Sequence, residues 1–281
     1  MTSYDPPASA VREVVARALA EDLEPLGDIT SALLPADRRA SASFVVREEG
    51  VVAGRACAVE TFRRVDPSLE LQWKLADGSR VEPGDEIARV EGPLASMLTA
   101  ERTALNFLCH LSGVASLTRR FVDATVGTRC RIWDTRKTTP GLRALEKAAV
   151  RAGGGRNHRG NLSEWVLFKD NHLTGMTIAE AVERARAQWP GRTIQLEADR
   201  IDQLREAVAA GADIVLLDNM SPDDVVACVE LRGDAERPLL EVSGGVTLAN
   251  VAAYAATGVD LISSSALTQS APSLDIGLDV T

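Results

Sequence analysis

The sequence predicts an α/β protein whose larger part is an incomplete parallel β/α barrel. From Arg129 onward, strand-like and helix-like runs alternate in units of about 20 to 35 residues, and such repeats require parallel strands with helical connections. Nearly every predicted strand ends on a polar residue, as barrel strands do where they form an active site. Six such units are visible, fewer than the eight of a complete barrel. An open doubly wound sheet is the alternative, although its site would use only the strands at the switch point.

Composition and charge narrow the functional classes. The chain has 281 residues with 45% hydrophobic and 25% charged content, which suits one large globular domain or two smaller ones. The net charge of −9 argues against a nucleic-acid partner but permits a local basic pocket for an anionic small molecule. The four cysteines include no C-x-x-C pair, so we expect free thiols in a reducing compartment. Without a signal-peptide pattern or an apolar run near ~18 residues, we expect a cytoplasmic protein with no membrane segment.

The first part of the chain predicts one helix followed by short strands. Apolar residues recur at helical spacing from Ser9 to Leu23. Residues 41–92 read as short strands, and strict apolar–polar alternation over Leu69–Leu75 predicts a strand with one buried face. Asp77-Gly78 predicts a hairpin, and Pro83-Gly84-Asp85 predicts another turn.

A long helix is predicted from Thr99, as its N-cap, to about Asp123, with Ser112-Gly113 as a place for a bend. Arg102 then lies in the first turn, where a cation opposes the helix dipole at a mild cost. Either Arg102 faces an anion, for instance in a neighbouring subunit, or it is a solvated surface arginine.

The barrel elements follow from the alternation of strand-like and helix-like runs. The predicted strands, each with the polar residue that follows it, are Cys130–Trp133 before Asp134, Trp165–Phe168 before Lys169, Thr193–Leu196 before Glu197, Ile214–Leu217 before Asp218, Leu239–Val242 before Ser243, and Leu261–Ile262 before Ser263. The predicted helices are Gly141–Arg151, Thr177–Gln188, Ile201–Ala210, Ser221–Leu231 and Thr247–Thr257.

A group of cationic residues stands out against the acidic composition between Asp134 and His172. Each of its members lies near a predicted strand end or in a loop. Fixed donors of this kind suit a ligand with several carboxylates or phosphates, because arginine can bind a carboxylate bidentately. The members are Arg136, Lys137, His158, Arg159 and Lys169. We interpret His110 and His172 as packing or capping residues.

Two further sites are predicted at strand ends. Ser243-Gly244-Gly245, before the helix predicted to open at Thr247, indicates a phosphate site next to Ser264 and Ser265, although a plain turn would look the same. Glu197 and Asp218, on adjacent strands, predict a site for Mg²⁺ held mostly through water. Structural ion pairs with nearby lysine and arginine are the alternative for these carboxylates, and the two roles are compatible.

Motifs spread in order over nearly the whole length carry a family resemblance: GDITS, TAERTALNFL, DTRKTTPGLRALEKAAVRAGGG, NHR, KDNH, LLDN, EVSGG, GVDLIS and ALTQS. DTRKTTPGLR and KDNH are the most specific. On these motifs the chain resembles the quinolinate phosphoribosyltransferases, the carboxylating nicotinate-nucleotide pyrophosphorylases of NAD biosynthesis.

The resemblance implies a reaction, a fold and an assembly. Quinolinate and 5-phosphoribosyl 1-diphosphate give nicotinate mononucleotide, diphosphate and carbon dioxide, with Mg²⁺. The implied fold is an N-terminal α/β sandwich-like domain over residues 1–112, which includes the start of the linking helix, and a partial β/α barrel over residues 113–270. Residues 271–281 form a tail that could pack back on the first domain. The implied assembly is a homodimer or larger homo-oligomer with shared active sites.

The resemblance also implies residue roles. Arg102 would reach a quinolinate carboxylate across a subunit interface, and Lys137 would act near the reacting centre together with Glu197 and Asp218, which would hold the ribose hydroxyls and Mg²⁺. Substrate carboxylates and the diphosphate would be bound by Arg136, Lys137, Thr138, His158, Arg159 and Lys169. The 5-phosphate would be bound by Ser243, Gly244, Gly245, Ser264 and Ser265.

Several positions depart from the family pattern: Gln195 in place of glutamate, Ser265 in place of glycine, Gln269 in place of histidine, Gly160-Asn161, and Trp133 in place of a smaller aliphatic residue. None of them removes a charged residue assigned above. They leave two alternatives to the quinolinate enzyme. One is a paralogous phosphoribosyltransferase for another aromatic acid, and the other is a non-catalytic barrel that binds a phosphate ligand.

Overall fold

Two units make up the structure, a computed structural model that describes residues 5–281: the first contains a four-stranded and a two-stranded sheet, and the second a six-stranded sheet. The first unit contains the chain up to Arg119, Thr138–Gly154 and Leu267–Thr281. The second unit contains Arg120–Lys137 and Gly155–Ala266.

The elements in chain order have the following bounds. The strands are β1 (Arg39–Val46), β2 (Gly50–Val51), β3 (Glu70–Trp73), β4 (Arg80–Val81), β5 (Glu86–Pro93), β6 (Arg131–Trp133), β7 (Val166–Phe168), β8 (Ile194–Ala198), β9 (Ile214–Asp218), β10 (Leu239–Ser243), β11 (Leu261–Ser263) and β12 (Ile276–Val280). The α-helices are α1 (Ala8–Leu23), α2 (Arg55–Val65), α3 (Leu94–Asp123), α4 (Arg143–Ala152), α5 (Ile178–Gln188), α6 (Ile201–Ala210), α7 (Pro222–Arg232), α8 (Val251–Ala256) and α9 (Ala266–Gln269).

An antiparallel sheet of order β12-β1-β5-β3 forms the centre of the first unit. Strand β1 buries every second side chain, as period-two alternation requires, and Phe44 is fully buried. The Phe44 ring meets Phe62 of α2 edge-on at 5.8 Å and stacks on Trp73 of β3 at 6.2 Å. Helices and sheet of this unit therefore share one apolar core.

The predicted hairpin at Asp77-Gly78 is wrong. Strand β3 pairs with β5, whereas β4 pairs with β2, so the two strands that flank this turn are not partners. The carboxylate of Asp77 instead accepts the backbone N–H groups of Gly54 (3.2 Å) and Arg55 (3.3 Å) at the start of α2. The local sequence Asp-Gly is the same whether the aspartate lies in a hairpin turn or accepts hydrogen bonds from a distant helix N-terminus, so it could not distinguish the two.

The predicted start of the long helix is also wrong. Helix α3 begins at Leu94, and the Thr99 hydroxyl donates to the carbonyl of Ala95 (2.9 Å) inside the helix. Arg102 consequently lies two turns into the helix, where the dipole argument for an anion partner does not apply. The helix is continuous through Ser112-Gly113, where the Ser112 hydroxyl accepts the N–H of Ala53 (2.9 Å).

The second unit is a partial barrel, which confirms the predicted fold class. Its strands are all parallel and run in the order β6-β11-β10-β9-β8-β7. This is the cyclic order of a β/α barrel, with β6 and β7, consecutive in the chain, at the two ends of the sheet. A doubly wound sheet would reverse its strand order at a switch point, and this sheet does not. Only a parallel bridge between Trp133 and Arg156 extends the described sheet beyond β6.

Predicted and observed barrel strands agree within two residues at each end, with one informative difference in the helices. The helix predicted from Thr247 begins at Val251. Asn250 accounts for the delay, because its side chain accepts the N–H of Thr247 (2.8 Å) and donates to the carbonyl of Gly245 (3.1 Å), which closes a turn. The Ser243-Gly244-Gly245 segment therefore precedes a turn and not a helix N-terminus.

Two predictions from composition concern thiols and membranes. All of the cysteines, Cys57, Cys109, Cys130 and Cys228, are free. None of the helices found between residues 5 and 281 combines the length and the apolar character needed to cross a bilayer.

The carboxylate of Asp28 generates a stability prediction. It accepts the N–H groups of Thr30 (3.0 Å) and Ser31 (2.9 Å) and the hydroxyls of Ser31 (2.5 Å) and Thr99 (3.0 Å). The hydroxyl and N–H of Ser31 are the main reasons why the pKa of Asp28 falls from 3.8 to about 2. A lowered carboxyl pKa adds stability above the unfolded-state pKa, and that stability is lost as the pH falls towards 2. Asp28→Ala should cost about 1–2 kcal/mol near neutral pH.

Urea unfolding at pH 7 and at pH 2.5 measures this effect, with the exposed Asp37→Ala as the control. The cost of Asp28→Ala should shrink at the lower pH. An equal cost at both values would contradict the assigned role of the carboxylate.

Candidate active site

A cavity of about 500 Å³ opens at the carboxyl ends of the barrel strands, wholly within the second unit. It lies where a β/α barrel places its chemistry. It brings together most of the residues predicted from sequence. Those that line it are Arg136, Lys137, His158, Arg159, Lys169, Glu197, Asp218, Ser243, Gly244 and Gly245.

Four predicted site residues do not line this cavity. Arg102 is exposed on α3, and the Thr138 hydroxyl accepts Nε–H of Arg143 (3.1 Å); all three residues belong to the first unit. The buried Ser264 hydroxyl donates to the carbonyl of Val246 (3.0 Å). Ser265 lies between the end of β11 at Ser263 and the start of α9 at Ala266.

Arg136, His158, Arg159 and Lys169 form the basic side of the cavity, called the cationic wall below. The buried carboxylate of Asp134 positions part of this wall. Asp134 follows β6 and is fully buried. Its Oδ1 accepts the backbone N–H of His158 (2.9 Å), and its Oδ2 accepts the side-chain amide of Asn157 (2.6 Å). These bonds hold the segment that carries His158 and Arg159 next to Arg136, which lies two residues after Asp134 in the chain.

The positive charges of Arg136 and Arg159 in this wall repel each other. Arg159 is 8% exposed, and burial is the main reason why the pKa of its guanidinium falls; the positive charge of Arg136 lowers it further. Its Nη1 donates to the carbonyl of Trp165 (3.2 Å). Like charges held together in a half-buried wall favour a bound anion, which would relieve their repulsion and accept their remaining donors.

The acidic side of the cavity lies on β8 and β9. Glu197 forms an ion pair with Lys169, so the structural alternative for this carboxylate holds for the described structure. Asp218 accepts the side-chain amide of Asn219 (2.8 Å), and the N–H of Asn219 donates to the carbonyl of Ser243 (3.0 Å). Asn219 has a positive φ of 55°, an uncommon backbone conformation that these two bonds support.

The glycines after β10 form a tight turn against Asn219. Gly244 and Gly245 both have positive φ, at 90° and 61°. A Cβ at Gly244 would overlap the side-chain oxygen of Asn219, whereas a Cβ at Gly245 would meet open space. The absence of side chains at both positions leaves the backbone open to a ligand.

The remaining histidines have structural contacts, as predicted. His172 accepts the backbone N–H of Lys169 through Nδ1 (3.1 Å) and so caps the short helical turn after β7. His110 contacts the fully buried Glu146 through Nε2 (2.9 Å).

Sequence reasoning missed several lining residues, of which Glu241 is the most significant because it is a fully buried carboxylate. Side chains along a strand point to one face at every second residue, so Glu241 shares the interior face with Ser243. By the same alternation, Leu216 lies on the same face as Asp218. The strand period of two therefore could have predicted both Glu241 and Leu216 as lining residues. Thr135, Leu167, Asn219 and Ser263 also line the cavity; Ser263 had been predicted as a polar strand end but had no assigned role.

The donor set of the cavity fits a magnesium ion that also binds a substrate. Within the described chain, no three or more His, Cys, Asp or Glu side chains lie close enough together to hold a metal. Glu197 and Asp218 are two carboxylates on adjacent strands at one cavity. Mg²⁺ is commonly bound by one or two carboxylates together with water and substrate phosphates, so further protein ligands are unnecessary.

The fold and site define a β/α-barrel protein whose cavity places cationic side chains beside a pair of carboxylates. Family models described as quinolinate phosphoribosyl transferase, N-terminal domain and C-terminal domain, match residues 28–112 and 114–279. The chain belongs to the quinolinate phosphoribosyl transferase family.

Individual relatives cover nearly all of the chain. A Mycobacterium leprae (strain TN) protein named nicotinate-nucleotide pyrophosphorylase (carboxylating) is 43% identical over 96% of this chain and 97% of its own length. Quinolinate phosphoribosyltransferase (decarboxylating) 1b of Nicotiana tabacum is 36% identical over 98% of this chain and 83% of its own length. The solved structure of the nicotinate-nucleotide pyrophosphorylase from Francisella tularensis has a TM-score of 0.93 at 38% identity, covering 99% of this chain and 98% of that one.

The glycine turn generates a matched pair of variants. Gly245→Ala should cost about 1–2 kcal/mol of unfolding free energy, because alanine must adopt a positive φ. Gly244→Ala should cost more, roughly 2–4 kcal/mol, because it must also displace Asn219. Thermal or urea unfolding of the two variants tests the difference, and equal costs would show that the contact with Asn219 is unimportant.

Proposed function

We propose that this protein transfers the phosphoribosyl group of 5-phosphoribosyl 1-diphosphate to quinolinate with decarboxylation. The products are nicotinate mononucleotide, diphosphate and carbon dioxide, and the reaction belongs to de novo NAD biosynthesis. The observation that best supports the proposal is the opposed pair Arg136 and Arg159 in one cavity with Glu197, Asp218 and the glycine turn. The names of the full-length relatives supply the reaction.

Quinolinate suits the cationic wall because its two carboxylates can neutralise two guanidinium groups. In the proposal Arg136 and Arg159 bind the carboxylates, with His158 and Lys169 at the same wall. Lys169 would exchange its ion pair with Glu197 for the ligand. Fixed geometry then presents the pyridine nitrogen towards the sugar.

The sugar phosphate suits the opposite side of the cavity. The backbone at Ser243, Gly244 and Gly245, with the turn at Ser264-Ser265, is proposed to bind the 5-phosphate. Glu197 and Asp218 would accept the ribose hydroxyls and hold Mg²⁺. When bound, the ion would neutralise part of the charge of the diphosphate leaving group.

The proposed chemistry uses the charges of this cavity. The pyridine nitrogen forms a bond to C1 of the ribose as the bond from C1 to the diphosphate oxygen breaks. Negative charge builds on the leaving group, and the ammonium of Lys137 would stabilise it. The alkylated nitrogen then carries a positive charge. That charge stabilises the electron pair left on the adjacent carbon when carbon dioxide departs, and a proton completes the product.

Assembly and location complete the proposal. We propose a homodimer or larger homo-oligomer in which Arg102 reaches a quinolinate carboxylate in a neighbouring subunit. Exposure of Arg102 is compatible with that role. A cytoplasmic location suits the free cysteines.

One observation favours a second candidate, a phosphoribosyltransferase for another aromatic acid. The ring of Trp133 meets His158 edge-on at 5.8 Å, so a bulky residue lies behind the acid-binding wall. Gly160 and Asn161 follow Arg159 on the same segment. A changed pocket shape could therefore select a different acid.

A product assay tests the proposed function. The purified protein, given quinolinate, 5-phosphoribosyl 1-diphosphate and Mg²⁺, should form nicotinate mononucleotide and diphosphate in equal amounts. Turnover should be lost with EDTA and restored by added Mg²⁺. Nicotinate and the isomeric pyridine dicarboxylates are the comparison acids. Turnover of one of these without quinolinate turnover would select the second candidate, and turnover of none would contradict both.

Lys137→Ala should reduce kcat by at least about 100-fold, because the leaving group loses a nearby positive charge. The Kd of 5-phosphoribosyl 1-diphosphate should change much less. Steady-state kinetics and equilibrium titration separate the two effects, with Lys74→Ala, on the first unit's sheet surface, as the control. An unchanged kcat would contradict the role of Lys137.

Arg102→Ala should be inactive alone but should recover activity when mixed with Lys137→Ala. In a mixed dimer with shared sites, one site receives both wild-type residues. Random reassembly should restore roughly a quarter of the wild-type activity. The mixture is assayed after subunit exchange, and failure to exceed the sum of the two separate variants would count against shared sites.

A further inference from the structure

A buried chain of hydrogen bonds lies behind the acid-binding wall. The indole Nε1–H of Trp165 donates to Oε1 of Gln195 (3.1 Å), and Nε2 of Gln195 donates to Oε2 of Glu241 (2.7 Å). Nε2 of His158 lies 3.5 Å from the same Oε2. Gln195 and Glu241 are both fully buried. These contacts connect Trp165, just before β7, with Gln195 of β8, Glu241 of β10 and the cavity residue His158.

The donors and acceptors in this chain have only one consistent direction. An indole can only donate and a carboxylate can only accept, so the amide of Gln195 must present its oxygen to Trp165 and its nitrogen to Glu241. At the other end, Nδ1 of His158 accepts the backbone N–H of Arg159 (2.9 Å). The ring proton of His158 therefore lies on Nε2 and points towards Glu241.

Aromatic packing leaves the His158 ring little freedom. Trp165 lies 4.8 Å from it and Trp133 lies 5.8 Å from it, measured between ring centroids. The hydrogen bond from Arg159 to Nδ1 also links the His158 ring to the backbone of Arg159. A residue that fixes the orientation of the His158 ring therefore also influences the position of Arg159.

We propose that Glu241 is a positioning residue for the His158–Arg159 wall and acts through a single oxygen. Oε2 accepts the Nε2–H of Gln195 and lies 3.5 Å from Nε2 of His158, while Oε1 has no hydrogen-bond partner in the described chain. The inference rests on the proposed function, because its effect is expected on the acid substrate. Gln195 serves the same purpose one step further away, since it fixes Glu241 from behind.

Two substitutions at one position separate hydrogen bonding from charge. Glu241→Gln can place its amide oxygen where Oε2 lies and keep both donors satisfied. Glu241→Met has a similar volume but no acceptor. We expect Glu241→Met to raise the quinolinate Kd and KM about tenfold, from the loss of the buried hydrogen bond from Gln195 and of the polar contact with His158, and Glu241→Gln to stay within about twofold of wild type.

The controls separate positioning from general damage. The Kd of 5-phosphoribosyl 1-diphosphate should be unchanged in both variants, which would show that the other side of the cavity is intact. The same substitutions at the exposed Glu206 of α6, Glu206→Gln and Glu206→Met, should affect neither ligand. Equal weakening by Glu241→Gln and Glu241→Met would overturn the proposal, because the charge would then be what matters. An unchanged quinolinate affinity in Glu241→Met would also overturn it.

Gln195→Met keeps the proposal testable should Glu241→Met not fold. It removes the donor that fixes Glu241 and should raise the quinolinate Kd at least about threefold, again without an effect on the sugar phosphate. Unchanged quinolinate affinity in Gln195→Met would contradict the proposal. Absence of wild-type turnover with quinolinate would instead be a failure of the proposed function, so the two failures are distinguishable.

Discussion

The candidate site depends on one buried carboxylate at the open side of the barrel. The six-stranded sheet of the second unit leaves β6 and β7 at opposite ends, so side chains from these two ends need a separate connection to meet. Asp134 supplies it by binding the backbone of His158 and the amide of Asn157. Burying a carboxylate costs free energy that donors to its oxygens offset, and for Asp134 these donors belong to the segment that carries Arg159. The arrangement that satisfies Asp134 is thus the one that brings Arg159 near Arg136.

Repulsion between the positive charges of Arg136 and Arg159 favours binding of an anion in the cavity. In a protein with a net charge of −9, a local concentration of positive charge attracts a small anion without attracting polyanions to the whole surface. Burial and the charge of Arg136 both lower the pKa of Arg159, so the free site carries a cost that a dicarboxylate would remove. Glu197 pairs with Lys169, which offsets one of the cations of the cavity. In the proposed function, the substrates would replace this partner.

Strand positions and strand-end residues could be predicted from sequence because they follow from local rules. Alternating strand and helix patterns placed every barrel strand, and polar strand ends then pointed to Lys169, Glu197 and Asp218. Glu241 was missed because only the residues at strand ends were considered. It lies two residues before Ser243 on the same face of β10, so the strand period of two would have included it.

Errors arose where a local signal serves a distant partner. Asp77 has the sequence context of a hairpin but bonds to the start of α2, and Thr99 has the side chain of an N-cap but lies inside α3. Asn250 delays the start of α8 through bonds that no helix-start rule anticipates. The sequence placed Arg136 and Arg159 in one cationic group, but the buried bonds of Asp134 that hold the segment carrying Arg159 could not be predicted, because they depend on how this loop folds.

In the proposed function, the wall formed by Arg136 and Arg159 binds the two carboxylates of quinolinate beside the sugar-phosphate side of the cavity. A crystal structure of the protein with quinolinate would show this binding. We expect carboxylate oxygens at hydrogen-bond distance, about 3 Å, from both guanidinium groups, with the pyridine nitrogen facing Glu197 and Asp218. Quinolinate bound elsewhere, or the two arginines turned away from each other with no shared cavity, would contradict it.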